Sequence, residues 1–177
     1  VELLAIKANG ESAKAGEEGE LRAKAPQLML GYLDASLDAE AFDENGYFRT
    51  GDLGIIDDQG YVIISGRLKD VIIRHGENIS AKEVEDILFQ HPLVQDVAVI
   101  GLPDQVTGER ACAVISLNEE SASLTLDQMR TYLEESGLRK NAIPEQLEIV
   151  ASVPRNPSGK ITKNVLKDQF KDGDFKR

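Results

Sequence analysis

Two short stretches of the sequence carry charged side chains in settings that suit chemistry. Lys160 follows Ser158 and Gly159, which favour a tight, exposed loop, and an ammonium group in such a loop can stabilise negative charge that develops in a reaction. Asp52 follows Gly51, and its two carboxylate oxygens can accept hydrogen bonds from a vicinal diol. Each residue also has an ordinary alternative, because a surface lysine in a Pro/Ser/Gly loop and an aspartate in a turn are both common.

The stretch over residues 66–85, GRLKDVIIRHGENISAKEVE, predicts the elements that lie between these two residues. Its first part, GRLKD, predicts a turn between apolar strands at residues 61–65 and 71–73. His75 and Gly76 then end the second strand, because glycine reaches backbone angles that other residues avoid.

A helix start is predicted in the same stretch. Ser80 and Glu83 have the spacing of a capping box, in which the hydroxyl and the carboxylate satisfy orphan backbone donors. The helix is expected over residues 81–90 and ends at His91 and Pro92. Its apolar stripe has helical spacing and consists of Val84, Ile87 and Leu88.

The first part of the chain predicts β-structure, and the second part predicts a mixed α/β pattern. Strands are expected at residues 1–8, 19–25, 95–101, 111–117 and 145–151, a hairpin at residues 53–57 and 61–65, and a loop at residues 102–109. Further helices are expected at residues 36–42, 125–135 and 162–170, with a second capping box at Thr125 and Gln128. The change of pattern near Lys69 predicts a domain boundary.

Composition and charge exclude several classes of function. The chain has 177 residues and a net charge of −11, which argues against a nucleic-acid partner. No apolar stretch approaches the roughly 20 residues that cross a bilayer, so no transmembrane segment is expected. The only cysteine, Cys112, lies in an apolar strand pattern, which predicts a buried structural thiol and a reducing, cytoplasmic location. The two histidines, His75 and His91, lack ligand-like spacing, so no metal site is expected.

Three motifs, in order along the chain, resemble those of the adenylate-forming (ANL) superfamily of acyl-CoA synthetases, carrier-loading adenylation domains and firefly-type luciferases. Residues 47–53, YFRTGDL, resemble its ribose-binding motif, residues 66–85 its hinge motif, and residues 154–161, PRNPSGKI, its catalytic-lysine motif. The resemblance implies an α+β fold. In it, residues 1–68 are the β-rich end of a large N-terminal AMP-binding domain, and residues 69–177 are a small mixed α/β C-terminal domain.

The resemblance also implies roles for five residues. Lys160 matches the catalytic lysine, Asp52 matches the acid that accepts hydrogen bonds from both ribose hydroxyls of ATP, and Arg67 matches an arginine that contacts the ribose or the phosphates. Without the resemblance, Arg67 fits an ordinary charged residue at the end of a strand as well as it fits a ligand-contacting residue. Lys69 occupies the hinge about which the small domain rotates between two half-reactions, and Gly76 matches the glycine that lines the pantetheine channel.

By this resemblance the chain is the C-terminal portion of an acyl-CoA synthetase. Such an enzyme forms acyl-AMP from ATP and a fatty or related carboxylic acid, then a thioester with coenzyme A, and it uses Mg²⁺. The phosphate loop, the Mg²⁺-binding glutamate and the acyl pocket are expected upstream of Val1, so we expect the chain alone to be inactive. Two alternatives stay open, an adenylation domain that loads a carrier-protein thiol and a non-catalytic α/β interaction module.

Two further details of the sequence bear on regulation and on the acceptor channel. The spacing of Pro154 from Gly159 and Lys160, P-x-x-x-x-G-K, resembles the site that bacterial protein acetyltransferases recognise on acyl-CoA synthetases. Acetylation removes the charge that adenylation needs, which implies such an acetyltransferase as a partner. His75 stands where the family commonly has a small residue, so the imidazole is expected to narrow or to line the channel mouth.

Overall fold

A computed structural model describes residues 1–119 and 123–171 of the chain. The chain divides into two compact units, Val1–Lys69 and Asp70–Arg177, each built on a sheet of its own. The division lies one residue from the boundary that the sequence predicts between residues 68 and 69.

The first unit is a four-stranded antiparallel sheet whose strands follow chain order. They are β1 (Glu2–Ile6), β2 (Glu18–Lys24), β3 (Phe48–Ile56) and β4 (Val62–Arg67). The helix predicted at residues 36–42 is a 3₁₀ turn (Ala35–Leu37) followed by the short helix α1 (Asp38–Ala41).

The predicted hairpin joins β3 to β4 through a turn at residues 57–60. Asp57 Oδ1 accepts the backbone N–H groups of Gln59 and Tyr61 at 3.0 and 2.8 Å, and Gly60 has a φ of +86°. An aspartate that bonds to its own following backbone, together with a left-handed glycine, is typical of tight turns. Both strands are longer than predicted, and β3 therefore includes the Asp52 segment.

The second unit is a mixed α/β unit around a five-stranded sheet. Its elements are β5 (Val71–Arg74), β6 (Glu77–Ser80), α2 (Ala81–Leu88), β7 (Val94–Asp104), β8 (Gly108–Leu117), α3 (Leu126–Glu135), β9 (Gln146–Ile149) and α4 (Lys163–Phe170). The strand order is β6-β5-β8-β7, with β9 paired in parallel to β8 and all other pairs antiparallel. The fold class predicted from the sequence is confirmed.

Helices cover both faces of this second sheet. Successive side chains of a strand point to opposite faces. On β7, Val97 and Val99 share one buried cluster with residues of α2 and α3, whereas Ala98 and Ile100 pack in a second cluster with Leu166 of α4. The loop that precedes α4, which contains Lys160, therefore leads into the helix on the face opposite α2 and α3.

The prediction of a loop at residues 102–109 is wrong. β7 continues to Asp104 and β8 begins at Gly108, so a three-residue turn joins the two strands. The Asp104 carboxylate accepts the N–H groups of Val106 and Thr107 at 2.9 and 2.8 Å, which fixes the turn. Pro103 is compatible with the strand because β7 lies at the edge of the sheet.

The strand β6 is absent from the sequence-based prediction, because Glu77 and Asn78 belong to types that are depleted in strands. The turn at His75 and Gly76 brings this segment back along β5, with Arg74 opposite Glu77. Pairing with β5 therefore overrides the weak local propensity.

Of the two predicted capping boxes, the structure describes the one at Thr125 and Gln128 as reciprocal, and at Ser80 it describes the half in which the hydroxyl accepts a backbone N–H. Ser80 Oγ accepts the Glu83 N–H at 3.3 Å at the start of α2, and Thr125 and Gln128 form a reciprocal capping box at the start of α3. The helix α2 ends at Leu88, two residues earlier than predicted. These caps satisfy backbone donors that helix starts otherwise leave without partners.

Candidate functional site

Asp52 lies on a bulge of β3. Glu20 pairs with Leu53 and Arg22 pairs with Arg49, so the three residues 50–52 of β3 face the single residue between those two on β2. Gly51 has a φ of +69°, a left-handed conformation that glycine adopts at little cost.

The hydroxyl of Thr50 holds the bulge in place. It donates to the backbone oxygen of Leu21 at 2.7 Å and accepts the N–H of Asp52 at 3.0 Å. The polar sequence Thr-Gly-Asp, which is unusual inside a strand, therefore forms a defined protrusion that positions the Asp52 carboxylate.

Asp52 and Arg67 lie directly opposite each other across β3 and β4. The Arg67 Nε atom is 2.7 Å from Asp52 Oδ1, and the two side chains are 46% and 37% exposed. Arg67 Nη2 also donates to the backbone oxygen of Thr50 at 3.4 Å. The pair presents carboxylate oxygens and guanidinium N–H groups together at a surface, which suits a ligand that carries hydroxyl and phosphate groups.

The loop around Lys160 is organised by the side chain of Asn156. Its Oδ1 atom accepts the Ser158 N–H at 3.1 Å, the Ser158 hydroxyl at 2.8 Å and the Lys160 N–H at 2.9 Å. The backbone of Asn156 also donates to Lys160 O and accepts from Gly159 N, and Gly159 has a φ of +80°. The Lys160 side chain is exposed, and no described residue of the second unit forms an ion pair with its ammonium group.

Arg155, at the start of this loop, makes contacts that the sequence did not indicate. Its Nη1 atom donates to Gly159 O at 2.7 Å, and its Nε and Nη2 atoms donate to Asp96 Oδ2 at 3.2 and 2.6 Å. Asp96 belongs to β7, 59 positions away, so no local pattern could have found the pair. Asn156 could have been found, since Asn followed by Pro-Ser-Gly is typical of a side-chain-stabilised turn.

Gly76 lies in the tight turn between β5 and β6. His75 and Gly76 have φ values of +51° and +78°, and Arg74 pairs with Glu77 across them, as in a two-residue hairpin turn with both central residues left-handed. A Cβ atom added to Gly76 would meet nothing within 4 Å. His75 N–H donates to Thr107 O at 2.8 Å, which fixes the turn against the β7–β8 connection.

Arg74 connects this turn to residues 140–145. Its Nη2 atom is 2.8 Å from Glu145 Oε1, and its Nη1 atom donates to Asn141 O at 2.9 Å. Asn141 in turn donates to the Glu77 carboxylate. The predicted site residues Gly76 and Lys160 therefore lie in different loops of the second unit, and each loop is fixed by an arginine.

Lys69 is the last residue of the first unit. It lies in a 3₁₀ turn, Leu68–Asp70, which follows β4 directly, and its side chain is exposed. A short turn at the end of one unit is the kind of position that can absorb a change of backbone angles.

Neither a reactive thiol nor a metal cluster is found in the described segments of the chain. Cys112 is buried, and burial raises the pKa of its thiol to about 12, so it is a structural thiol as predicted and not a nucleophile. Over residues 1–119 and 123–171, no group of three or more His, Cys, Asp or Glu side chains could hold a metal ion. These residues therefore supply no metal cage made of protein ligands alone, and we assign Mg²⁺ to none of them.

Comparison with known proteins gives consistent matches. Residues 83–160 match the family described as the AMP-binding enzyme C-terminal domain. The chain is 39% identical over 94% of its length to the medium-chain fatty-acid–CoA ligase of Escherichia coli, and 40% identical over 96% to the vibriobactin-specific 2,3-dihydroxybenzoate-AMP ligase of Vibrio cholerae. The crystal structure of ATP-bound MatB from Rhodopseudomonas palustris matches 96% of the chain with a TM-score of 0.87 and 34% identity.

The chain is therefore homologous to the C-terminal part of the acyl-CoA and acid–AMP ligases of the ANL superfamily, and it contains their AMP-binding C-terminal domain. This confirms the family predicted from the three motifs. The chain spans 30% of the length of the E. coli ligase, 31% of the V. cholerae ligase and 34% of MatB. In the part of the chain that the structure describes, no helix has the length and apolar character to span a bilayer.

Proposed function

We propose that this chain is the C-terminal portion of an adenylate-forming ligase that converts a carboxylic acid to acyl-AMP and then to a thioester with coenzyme A. The observation that carries the proposal is the loop at Lys160, whose backbone is fixed by hydrogen bonds while its ammonium group is exposed. A fixed loop places the charge without a reorganisation at the moment of reaction.

In the first half-reaction, a carboxylate oxygen of the acid attacks the α-phosphorus of ATP, and the bond to pyrophosphate breaks. Lys160 stabilises the negative charge on the attacking oxygen and the α-phosphate and forms no covalent bond. Asp52 accepts hydrogen bonds from the ribose hydroxyls, and Arg67 lies beside it to contact the ribose or a phosphate, as their 2.7 Å ion pair supports.

In the second half-reaction, the thiol of coenzyme A attacks the acyl carbonyl carbon, and AMP leaves. Gly76 provides room for the pantetheine arm, which the open space at the position of an added Cβ supports, and the neighbouring His75 lines the mouth of that channel. Lys69 is the hinge residue at which the second unit turns between the two half-reactions.

A carrier-protein thiol is the second candidate acceptor. The chain is 40% identical to the salicyl-AMP ligase / salicyl-S-ArCP synthetase of Mycobacterium tuberculosis, about as similar as it is to the E. coli CoA ligase. Analysis of the product distinguishes the two acceptors, because only an enzyme that uses coenzyme A releases a free CoA thioester. The same two relatives support a fatty acid and an aromatic acid equally well as the proposed substrate.

A protein acetyltransferase that modifies Lys160 is a proposed regulatory partner. The exposed side chain in a loop of defined shape supports this, and the loss of its charge would stop adenylation. Acetylation in vitro should lower adenylation in proportion to the fraction of Lys160 modified, as measured by mass spectrometry. Unaltered activity of the fully modified enzyme would contradict the proposal.

The experiment that tests the function uses a full-length enzyme that carries this chain. Lys160→Ala should reduce acid-dependent pyrophosphate exchange by about 10²–10³-fold and leave thioester formation from preformed acyl-AMP near the wild-type rate. Lys171→Ala, an exposed lysine of the same unit paired with Asp168, is the matched control. The 177-residue chain alone should show no exchange, whereas inactivity of the full-length enzyme with every acid would favour the non-catalytic module.

A further inference from the structure

The peptide unit between Gly159 and Lys160 is held at both of its polar ends. Its carbonyl oxygen accepts from Arg155 Nη1 at 2.7 Å, and its N–H donates to Asn156 Oδ1 at 2.9 Å. Because a peptide unit is planar, two hydrogen bonds on its opposite edges define the orientation of the whole plane. They therefore define the direction in which the Lys160 side chain leaves the loop.

Arg155 is itself fixed by the sheet. Asp96 Oδ2 accepts from both Nε and Nη2 of Arg155, and Asp96 Oδ1 accepts the Val97 N–H of β7 at 3.0 Å. Hydrogen bonds between charged groups are short and directional. The Asp96 side chain is only 21% exposed, so this anchor is partly shielded from water.

Among the described residues, Arg155 Nη1 is the only hydrogen-bond donor to the Gly159 carbonyl, so without this anchor the peptide plane keeps the Asn156 bond on its N–H side and loses the bond on its carbonyl side. Gly159 has a left-handed φ of +80°, and a Cβ added to it would meet nothing within 4 Å. Neither a side chain nor packing therefore restricts Gly159, and hydrogen bonds must do so.

We infer that Arg155, anchored by Asp96, is a positioning residue that sets the orientation of Lys160 through the Gly159 carbonyl. This inference rests on the proposed adenylating function of Lys160. Arg155 acts through the loop and contacts neither ATP nor the acid. Its guanidinium is needed because a planar fork can reach Asp96 and the Gly159 carbonyl together, which a lysine ammonium does less well.

The inference predicts a kinetic pattern in a full-length enzyme that carries this chain. Arg155→Gln and Asp96→Asn should each lower kcat for adenylation by about tenfold to 10²-fold with little change in KM for ATP, because a small displacement of a catalytic group costs rate. Thioester formation from preformed acyl-AMP should be unchanged. The double variant should lose no more than either single variant, since both remove the same contact.

Amide hydrogen exchange on the 177-residue chain gives a readout that does not depend on activity. Arg155→Gln should raise the exchange rates of the Ser158, Gly159 and Lys160 amides by about tenfold or more, which is the effect of losing roughly 1.4 kcal/mol of protection. Exchange in β7 and β8 should be unaltered. Lys171→Gln, which removes another exposed ion pair of the same unit, should change none of these rates.

The outcomes separate this inference from the proposed function. Loss of adenylation in Lys160→Ala together with unchanged kcat and loop exchange in Arg155→Gln would overturn the positioning role and leave the function intact. Unchanged adenylation in Lys160→Ala would overturn the function. Compared with Arg155→Gln, the variant Arg155→Lys should regain the wild-type thermal stability but only part of the wild-type kcat. If it regained both in full, the positive charge alone would explain the effect, which would contradict the inference.

Discussion

The Nζ atom of Lys163 lies 2.8 Å from Glu85 Oε1, and the same carboxylate oxygen accepts the backbone N–H of Val99 at 2.7 Å. Val99 belongs to β7 at the edge of the second sheet, so Glu85 occupies a backbone donor that the edge leaves without a strand partner. Lys163 thereby links α4, which follows the Lys160 loop, to α2 across that edge. A third charge, Asp70, lies 3.7 Å from the same ammonium group.

Lys163→Met should lower the free energy of unfolding by about 1–3 kcal/mol, because it leaves a partly buried carboxylate without its cation. The side chains of Lys163 and Glu85 are only 16% and 20% exposed. Urea denaturation of the chain measures the change. Lys82→Met is the matched control, since its pair with Asp86 is exposed and should contribute less than about 0.5 kcal/mol. Equal losses in both variants would contradict a special role for Lys163.

Gly76→Leu should slow thioester formation from preformed acyl-AMP by about tenfold or more in a full-length enzyme and leave pyrophosphate exchange nearly unchanged. Within its own unit a Cβ atom at this position meets nothing within 4 Å, so we attribute a slower reaction with the acceptor thiol to obstruction of the channel. Rapid-quench assays of the two half-reactions measure it.

Gly137→Leu is the control for backbone strain in this experiment. Gly137 has a φ of +84°, close to the +78° of Gly76, and open space at its Cβ. Both variants therefore carry a left-handed strain of about 1–2 kcal/mol. If Gly137→Leu slowed thioester formation as much as Gly76→Leu did, strain would explain the result and the channel role would be lost.

The features that the sequence predicts well are those encoded within a few residues. The hairpin turn between β3 and β4 and the Thr125–Gln128 capping box depend on short-range hydrogen bonds, and both are present. The apolar runs that predict strands at residues 95–101 and 111–117 are likewise local, and they lie within β7 and β8. The motif residues Asp52 and Lys160 could be proposed because each lies in a recognisable local setting.

Features that depend on contacts between distant segments could not be predicted. The strand β6 has poor local propensity and forms because β5 pairs with it. Arg155 has no partner within its loop that explains its charge, since Asp96 approaches only when β7 is in place. The ion pair between Arg67 and Asp52 could not be predicted either, because the register that places the two residues opposite each other on β3 and β4 depends on a bulge. The long-range ion pairs that fix the loops are therefore findings of the structure.

Cys112 should resist thiol reagents in the folded chain. Its pKa is raised by burial from an ordinary value near 9 to about 12, so at pH 8 the folded protein carries about a thousandfold less thiolate than the unfolded chain. Labelling with a chromogenic disulfide should be slower by roughly that factor in buffer than in urea. Because the folded pKa is raised, the neutral thiol's contribution to stability is present below about pH 9 and is lost as pH rises toward 12. Rapid labelling in buffer would contradict this burial.

His91 should make the stability of the chain decrease in mild acid. Burial lowers the pKa of its imidazole. Its Nδ1 atom accepts the Leu93 N–H at 3.2 Å, and its ring packs edge-on against the Tyr132 ring with 4.6 Å between the ring centroids. As pH falls through about 6.5, the unfolded chain binds a proton that the folded chain resists, so the free energy of unfolding decreases. Urea denaturation between pH 7.5 and pH 5 measures this slope.

Two asparagine variants isolate the contribution of His91. Asparagine commonly accepts a hydrogen bond from the backbone two residues ahead, so His91→Asn can keep the bond to the Leu93 N–H while removing the titrating group. The decrease in stability between pH 7.5 and pH 5 should therefore be smaller in this variant. His75→Asn, in which asparagine tolerates the left-handed φ of +51°, is the matched control for a histidine-to-asparagine change. The same slope in His91→Asn and in the wild-type protein would contradict a contribution of His91 and assign the pH dependence to other groups.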